Sequence, residues 1–451
     1  MTVKQVRSPR AASGQSTDVR PLRRRLAPAG ALVVSLVLSS CAKGAELTTL
    51  EPKGKSARDI ANLINPVFIV AGVVLVLVLG GTLVMIRKFG VKEYVEGEFP
   101  EQVHGNTKLE IGWTVVPAAI LAVVSVFTVA GLQTLNRYHK DQALSVVVVG
   151  QQWWWEYRYY ENGFDPAKDY DPGIDIRVDE IQNHKNKTEK TPTIVTATQM
   201  VIPADREIDL YITSRDVIHS HWIPALNGKR DAVPGRIQPW KVEADTPGVY
   251  FGQCTEFCGL SHSRMRMQVV AMAPTDFDAW WAQQKAPETA PTAEGQKWLD
   301  QQKAITKGTF SAKTNPSQVV PEPTAAAADR GMVIFRGQCT RCHLANGIND
   351  DIYLGKAQQV SNAAPNLTHF ASRTTYAGGI FNLYNADGTV DRAQLEAWLR
   401  NPPKEKDAYA VGNRGMPNLQ LSEPQINDLV EYLLSLGDKP SIEIIAKTEV
   451  E

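Results

Sequence analysis

The chain has 451 residues, which at about 150 residues per domain is too long for one small fold. It is 43% hydrophobic and 21% charged, which excludes a disordered or collagen-like polymer, and its 48 Lys+Arg against 48 Asp+Glu argue against the basic footprint of nucleic-acid binding. The balance conceals an asymmetry, because residues 1–40 hold seven Lys/Arg and one Asp, so they carry +6 and the remainder −6.

In chain order, Arg23, Arg24 and Arg25 precede an apolar stretch that ends in Leu38-Ser39-Ser40-Cys41, the order of basic, apolar and small-residue regions in an export signal. A Cys directly after small residues resembles a lipoprotein signal, so residues 1–40 are read as a signal peptide and Cys41 as the lipidated first residue of the mature chain. Residues 60–86 and 111–136 contain no charged side chain, enough to cross about 30 Å of hydrocarbon. Two transmembrane helices are therefore predicted, at about 66–86 and 111–134, within an N-terminal segment of residues 41–140. Arg87, Lys88, Lys92 and Lys108 crowd the connection, which the positive-inside rule places in the cytoplasm. The chain beyond residue 137 then lies outside the cytoplasm.

Residues 141–284 carry β signals: Val-rich, Thr-rich and aromatic runs at 145–149, 193–198, 207–213, 248–251 and 267–272, separated by Gly, Pro and Asp. A sandwich or small barrel is expected, with 165–190 as an inserted surface loop. Thr275 is predicted to cap a short helix with Asp276 and Asp278 in its first turn. Residues 285–328 read as a linker too poor in large apolar side chains to form a core. A second soluble domain is assigned to 329–437, ending in a helix that Ser422-Glu-Pro-Gln425 opens as a capping box and Ile426, Leu429, Val430, Leu433 and Leu434 stripe. Residues 438–451 form a tail.

Five cysteines are present. Cys41 belongs to the signal, and the other four form two local pairs that an exported protein could close as disulfides. Both pairs, however, sit among metal-ligating residues. Cys339-Thr-Arg-Cys342-His343 is the run of c-type haem attachment, with His343 as iron ligand. Met416, in Gly415-Met-Pro417 just before the last helix, is the expected sixth ligand. Cys254-Thr-Glu-Phe-Cys258-Gly-Leu-Ser-His262-Ser-Arg-Met265 gathers two thiolates, an imidazole and a thioether, soft donors that suit copper. A structural zinc site has no use for the thioether. A second imidazole is needed from elsewhere, and His219 and His221 are the candidates.

The segment Asp216-Val-Ile-His-Ser220, the loop Lys229-Arg-Asp-Ala-Val-Pro-Gly-Arg236 and the Cys-rich run closely resemble subunit II of haem-copper cytochrome c oxidases, in the variant with a fused C-terminal cytochrome c. The resemblance covers about 60–437. It implies a multidomain membrane protein: a two-helix transmembrane hairpin, an all-β cupredoxin-like Greek-key barrel and an all-α cytochrome c domain. It also implies a binuclear copper centre, CuA, bridged by Cys254 and Cys258, with His219 and Met265 completing one copper and His262 and the main-chain oxygen of Glu256 the other. The Glu256 carboxylate would bind a magnesium ion shared with subunit I, near Asp231, and His221 would be a neighbour rather than a ligand. Trp153, in the aromatic run Gln152-Trp-Trp-Trp-Glu156, would be the surface point at which electrons from cytochrome c come in. Glu110 would be the entrance of a proton channel. On this reading the chain is an oxidase subunit without the catalytic centre, set in the bacterial plasma membrane with its soluble domains outside the cytoplasm. It would pass electrons from haem c through CuA to haem in subunit I, for reduction of oxygen to water coupled to proton translocation. Subunits I and III and an upstream quinol-oxidising complex or cytochrome c are the implied partners, with no nucleic acid. Two alternatives use similar parts: the electron-input subunit of a CuA-dependent nitric oxide reductase, and a copper-delivery lipoprotein.

Overall fold

The two uncharged runs form α1 (Lys55–Phe89) and α2 (Thr107–Leu135) in a computed structural model that describes residues 45–90, 104–137, 144–169, 192–286, 292–306, 323–345, 348, 364–409 and 414–448. The signal segment, Cys41 and most of the 165–190 insertion lie outside the described residues. Along both helices the apolar side chains face outward, which is stable only in lipid. α1 starts eleven residues before the predicted span because its first turn docks on the β-domain. The Lys53 N–H donates to the Ala225 carbonyl, Ala57 N–H donates to that of Leu226, and Arg58 pairs with Asp245. A Cβ on Gly54 would collide with the Glu243 carbonyl, so the close approach needs glycine. The far end of α2 meets the same domain, where Arg230 donates to Asn136. Both outer ends of the hairpin thus sit on one side, with Arg87, Lys88 and Lys108 at the opposite helix ends.

The β-domain contains β1 (Ser145–Gln151), β2 (Trp154–Tyr160), β3 (Ile194–Ala197), β4 (Gln199–Pro203), β5 (Ile208–Ser214), β6 (His219–His221), β7 (Arg230–Ala232), β8 (Gln238–Val242), β9 (Gly248–Gln253) and β10 (Arg266–Met272). One sheet runs β3-β2-β1-β5-β8, a second β4-β10-β9, and β6 pairs with β7. β1–β5 and β4–β10 are parallel within otherwise antiparallel sheets. β1, β2 and β5 are buried along their whole length, which suits their β-branched and aromatic content. Alternation divides them: Val146, Val148, Trp155, Tyr157 and Tyr159 enter the main core, whereas Val147, Val149 and Tyr160 join a smaller one with Phe164 and Tyr211. Trp153 is not in the strand, as the aromatic run suggests, but in the β1–β2 turn, although it shares the core of Trp155.

α3 (Pro274–Lys285) closes the domain; Ala273 is its N-cap with Pro274 at the first position, not Thr275 as expected, since Pro is pre-set for helix one residue earlier. The linker assignment also needs correction. Within it α4 (Ala293–Thr306) buries Trp298 and Leu299, two large apolar residues that a composition average dilutes. Leu299 enters the second core, built on α5 (Ala327–Ile334), α6 (Arg392–Arg400) and α7 (Glu423–Leu434) with the short ribbon β11 (Thr375–Tyr376) and β12 (Phe381–Asn382). The Ser422–Gln425 capping box forms as read. Arg330 grips Asp428 through Nε and Nη2, and Gly331 lets α5 meet the backbone of α7.

The second domain lies against the first through polar bonds. Arg266 N–H donates to the Gly378 carbonyl at 2.9 Å, the Gln199 amide donates to Thr374 Oγ1 at 2.5 Å, and Ser261 Oγ donates to the Asp407 carbonyl at 2.6 Å. The tail forms a further helix, α8 (Ile442–Thr448), wedged between the domains: Ile444 packs on the β-core, Ile445 in the helical core, and the Thr448 carbonyl accepts from Gln268 at 3.0 Å. Because α4 is part of the helical core, Leu299→Ala should cost about 2–5 kcal/mol of that domain's stability. Denaturant unfolding of the intact protein, followed by the absorbance of its haem, measures this; an unchanged midpoint would return residues 293–306 to the status of a tether.

Candidate metal centre and haem pocket

The Cys-rich run is the loop joining β9 to β10. Their antiparallel register pairs Gln253 with Arg266, and the Cys254 N–H donates to the Met265 carbonyl at 3.0 Å, so the first and last candidate ligands face each other at the loop's mouth. Inside it Cys258 Sγ lies 3.8 Å from Cys254 Sγ, 3.5 Å from His262 Nδ1 and 3.8 Å from Met265 Sδ. The two sulfurs are far beyond the roughly 2.05 Å of a disulfide, and none of the four described cysteines is in a disulfide. The Glu256 carbonyl is 3.3 Å from Cys254 Sγ.

His219 comes from β6, whose Ser220 carbonyl accepts from Thr255 at 3.1 Å and so ties the strand to the loop. Its Nδ1 stands 3.9 Å from Cys254 Sγ, and room for the ring exists only because Gly150 has no side chain. Asp216 Oδ1 holds its Nε2 at 2.8 Å. Burial works against the Asp216 charge, yet the His219 bond and the Gln152 and Val217 N–H groups keep its carboxyl below the usual range. Nδ1 is thereby left to the sulfur side. His221 is not part of this group: it packs edge-on to Trp155 at 5.1 Å, and burial pushes its pKa down to about 3. The Cys254 thiol is held well below its usual range, chiefly by its hydrogen-bonding contact with Cys258 and then, against burial, by His219. Cys254, Cys258, His219 and Met265 are all 3% exposed or less. This dry cluster of sulfur and imidazole donors fits a soft metal. Among the described residues no such cluster includes Glu256 or Asp231, which are both exposed; the chain alone offers magnesium no enclosure.

The second site is a cavity in the helical domain whose wall carries Cys339, Cys342, His343 and Met416. α5 runs on through a wider turn, Phe335–Cys339, that delivers the first thiol. His343 Nδ1 donates to the Pro365 carbonyl at 2.8 Å, which fixes the ring. Burial lowers the imidazole's pKa, which favours its neutral form. The remaining lining is mostly apolar, including Phe370, Leu395, Trp398 and Leu429, as a porphyrin requires.

One stretch of that lining belongs to the other domain. Trp153 borders the cavity, is only 3% exposed, and packs on Tyr409 with ring centroids 5.3 Å apart. On its other side its Nε1–H donates to the Cys258 carbonyl at 3.1 Å. Expected at an open surface, Trp153 is instead covered by the chain's own second domain. Glu110 lies in the first turn of α2, behind the Asn106 cap and at the end of the hairpin remote from the β-domain.

Three family profiles match in the order of these parts: "Cytochrome C oxidase subunit II, transmembrane domain" over residues 52–130, "Cytochrome C oxidase subunit II, periplasmic domain" over 144–272, and "Cytochrome c" over 328–437. The chain belongs to the cytochrome c oxidase subunit II family. Among curated relatives, cytochrome c oxidase subunit 2 of Alkalihalophilus pseudofirmus is 29% identical over 89% of this chain and 94% of its own length. That of Bacillus subtilis is 26% identical over 90% and 95%, and that of Cereibacter sphaeroides 34% over 41% and 63%. As a subunit II with a C-terminal cytochrome c domain, the chain has the two apolar helices, the cupredoxin-like β-domain and the helical domain that its sequence leads one to expect.

The Asp216 carboxylate stands only three positions before His219, yet its sequence context does not mark it as the imidazole's partner. Since partners that orient a ligating imidazole typically contribute about 10–100-fold in metal affinity, Asp216→Asn should weaken copper retention by about that factor. Competition with a copper chelator reads it, with the exposed Asp231→Asn as a comparison that should bind like the parent.

Proposed function

We propose that this chain is the electron-input subunit of a terminal oxidase in the bacterial plasma membrane, receiving electrons on haem c and passing them through CuA to haem in subunit I, where oxygen is reduced to water with proton translocation. The catalytic centre is then in the partner. The observation that carries the reading is Trp153, which borders the haem cavity with its ring and bonds the backbone of Cys258 with its Nε1–H. When bound, haem c and the copper pair each exchange a single electron, with no bond broken and no proton transferred.

The residues act as holders. Cys339 and Cys342 would attach the haem, with His343 and Met416 as the residues that would hold its iron. Cys254, Cys258, His219, Met265, His262 and the Glu256 carbonyl would hold the copper pair; the sulfur–donor separations of 3.3–3.9 Å support this grouping. Burial of the cluster excludes water, so little has to rearrange when charge arrives. The exposed Glu256 carboxylate and Asp231 would meet a magnesium ion only at the surface shared with subunit I. Glu110, at the remote end of α2, would feed protons to that subunit. Subunit III and an upstream quinol-oxidising complex or cytochrome c complete the assembly.

A complex purified with this chain should consume oxygen and contain a large haem-bearing subunit. In it, Cys254→Ser should abolish the binuclear copper resonance while leaving haem c absorption intact, and Met416→Ala should lower the haem potential, since a soft thioether raises it, while leaving the copper resonance intact. A normal copper resonance in Cys254→Ser would contradict the ligand assignment. Glu110→Ala should slow turnover with both metal spectra unchanged; a loss confined to assembly would reduce Glu110 to a helix-terminal charge.

A further inference from the structure

Among the described residues, Lys406 is the lysine of the helical domain whose ammonium is directed into the seam between domains and bonded on both sides. Its Nζ donates to the carbonyl of Trp153 at 2.7 Å and to the carbonyl of Ala377 at 2.7 Å. The side chain is buried, 7% exposed, and its two acceptors are both backbone oxygens. A buried ammonium held by carbonyl dipoles is costly to desolvate and costlier to leave unpaired, so this group is stable only while the domains stay together. Burial, with the charge of Arg264 adding to it, draws the Lys406 pKa down to about 7.

The acceptor loop is shaped for the contact. Ala377, Gly378 and Gly379 have φ of +54°, +79° and +81°, a left-handed run in which the Ala377 carbonyl meets Lys406 and the next carbonyl, of Gly378, meets the β-domain. The Gly378 carbonyl accepts from Arg266 N–H at 2.9 Å, and a Cβ on Gly378 would collide with both Lys406 Nζ and the Trp153 oxygen.

We infer that Lys406 is a positioning residue for electron transfer: it ties the backbone of Trp153 to the Ala377–Gly378 turn and so holds the indole, which bonds Cys258 through Nε1, against the haem cavity. The inference rests on the proposed route from haem c to CuA. An electron leaving Fe(II) haem gives Fe(III) and reduces the oxidised copper pair by one, and the efficiency of that exchange depends on how the two sites are aligned. Removing the tie lets the second domain tilt or lift from Trp153 while each metal keeps all its own ligands.

The test uses the complete oxidase carrying Lys406→Met, which keeps the length and apolar stem but has no donors. Two readouts are taken: the rate at which an electron placed photochemically on haem c appears on copper, and amide exchange of peptides covering residues 151–155 and 376–380. Lys406 also borders the haem cavity, so the exchange readout carries the decision: transfer should slow by about tenfold or more, the scale of loss when reacting partners are misaligned, and both peptides should lose protection, with the copper resonance as in the parent. Unchanged rate and protection would overturn the inference, and so would a slowed rate with both peptides as protected as in the parent, which would make Lys406 act on the haem alone. If Lys406→Met fails to assemble, Gly378→Ala strains the same contact from the loop side and should reproduce the pattern. The parent complex separates route from tie: absence of haem-to-copper transfer there refutes the route, whereas the exchange readout tests the tie without reference to either metal.

Discussion

A single indole touches both the Cys-rich loop and the cavity of the helical domain, and the seam between the domains holds it there. Trp153 sits in the β1–β2 turn, where its N–H reaches the Cys258 carbonyl and its ring borders the haem cavity. For one side chain to satisfy both sides, the copper loop must be rigid and the cytochrome domain must be seated in one orientation. The loop is rigid because its ends are closed by the β9–β10 ladder. Gly259, at φ +112°, opens the space into which Gln152, Trp153 and Tyr409 fit. Seating is shared among the Gln199–Thr374 and Arg266–Gly378 bonds and the α8 wedge.

This arrangement changes what a fused domain accomplishes. A flexible tether raises effective concentration but leaves each transfer to a search. Here the connection contains a helix whose Leu299 is in the cytochrome core, and the tail returns to the β-domain, so the domain is held at both ends. Trp153, which an incoming cytochrome would have to find exposed, is already covered. Exposed apolar side chains remain on the copper loop, at Phe257 (77%) and Leu260 (51%), and in the neighbouring β5–β6 turn at Val217 and Ile218. Phe257 adjoins Glu256, the residue assigned to the surface shared with subunit I.

Local signals carry most of the architecture. Charge-free runs, a capping box and two cysteine clusters within twelve residues or fewer require only neighbours in sequence. The copper ligands gather largely because five of the candidate donors lie between Cys254 and Met265, on one hairpin loop. Contacts distant along the chain leave no such trace. Lys406 has no marker of burial in Asn401-Pro-Pro-Lys-Glu-Lys406, and its acceptor Trp153 lies 253 residues away. Arg414, two positions before Met416, approaches Asp216 at 3.7 Å, equally unmarked in its local sequence. Composition misjudges the linker because two large apolar residues decide the fate of α4, and an average over 285–328 hides them. The resemblance puts Trp153 at an open surface, and nothing in its local sequence says that the second domain lies over it.

If the haem and copper sites belong to one preassembled unit, transfer between them needs no encounter. The most direct test is the rate of haem-to-copper electron transfer in the intact complex as a function of ionic strength. Charges across a diffusional interface are screened within about 8–10 Å at physiological salt, so an encounter-limited step slows or accelerates strongly as salt is raised. A preassembled unit predicts a single-exponential rate that stays the same from low to high salt. A rate that changes severalfold over that range, or splits into fast and slow populations, would contradict it.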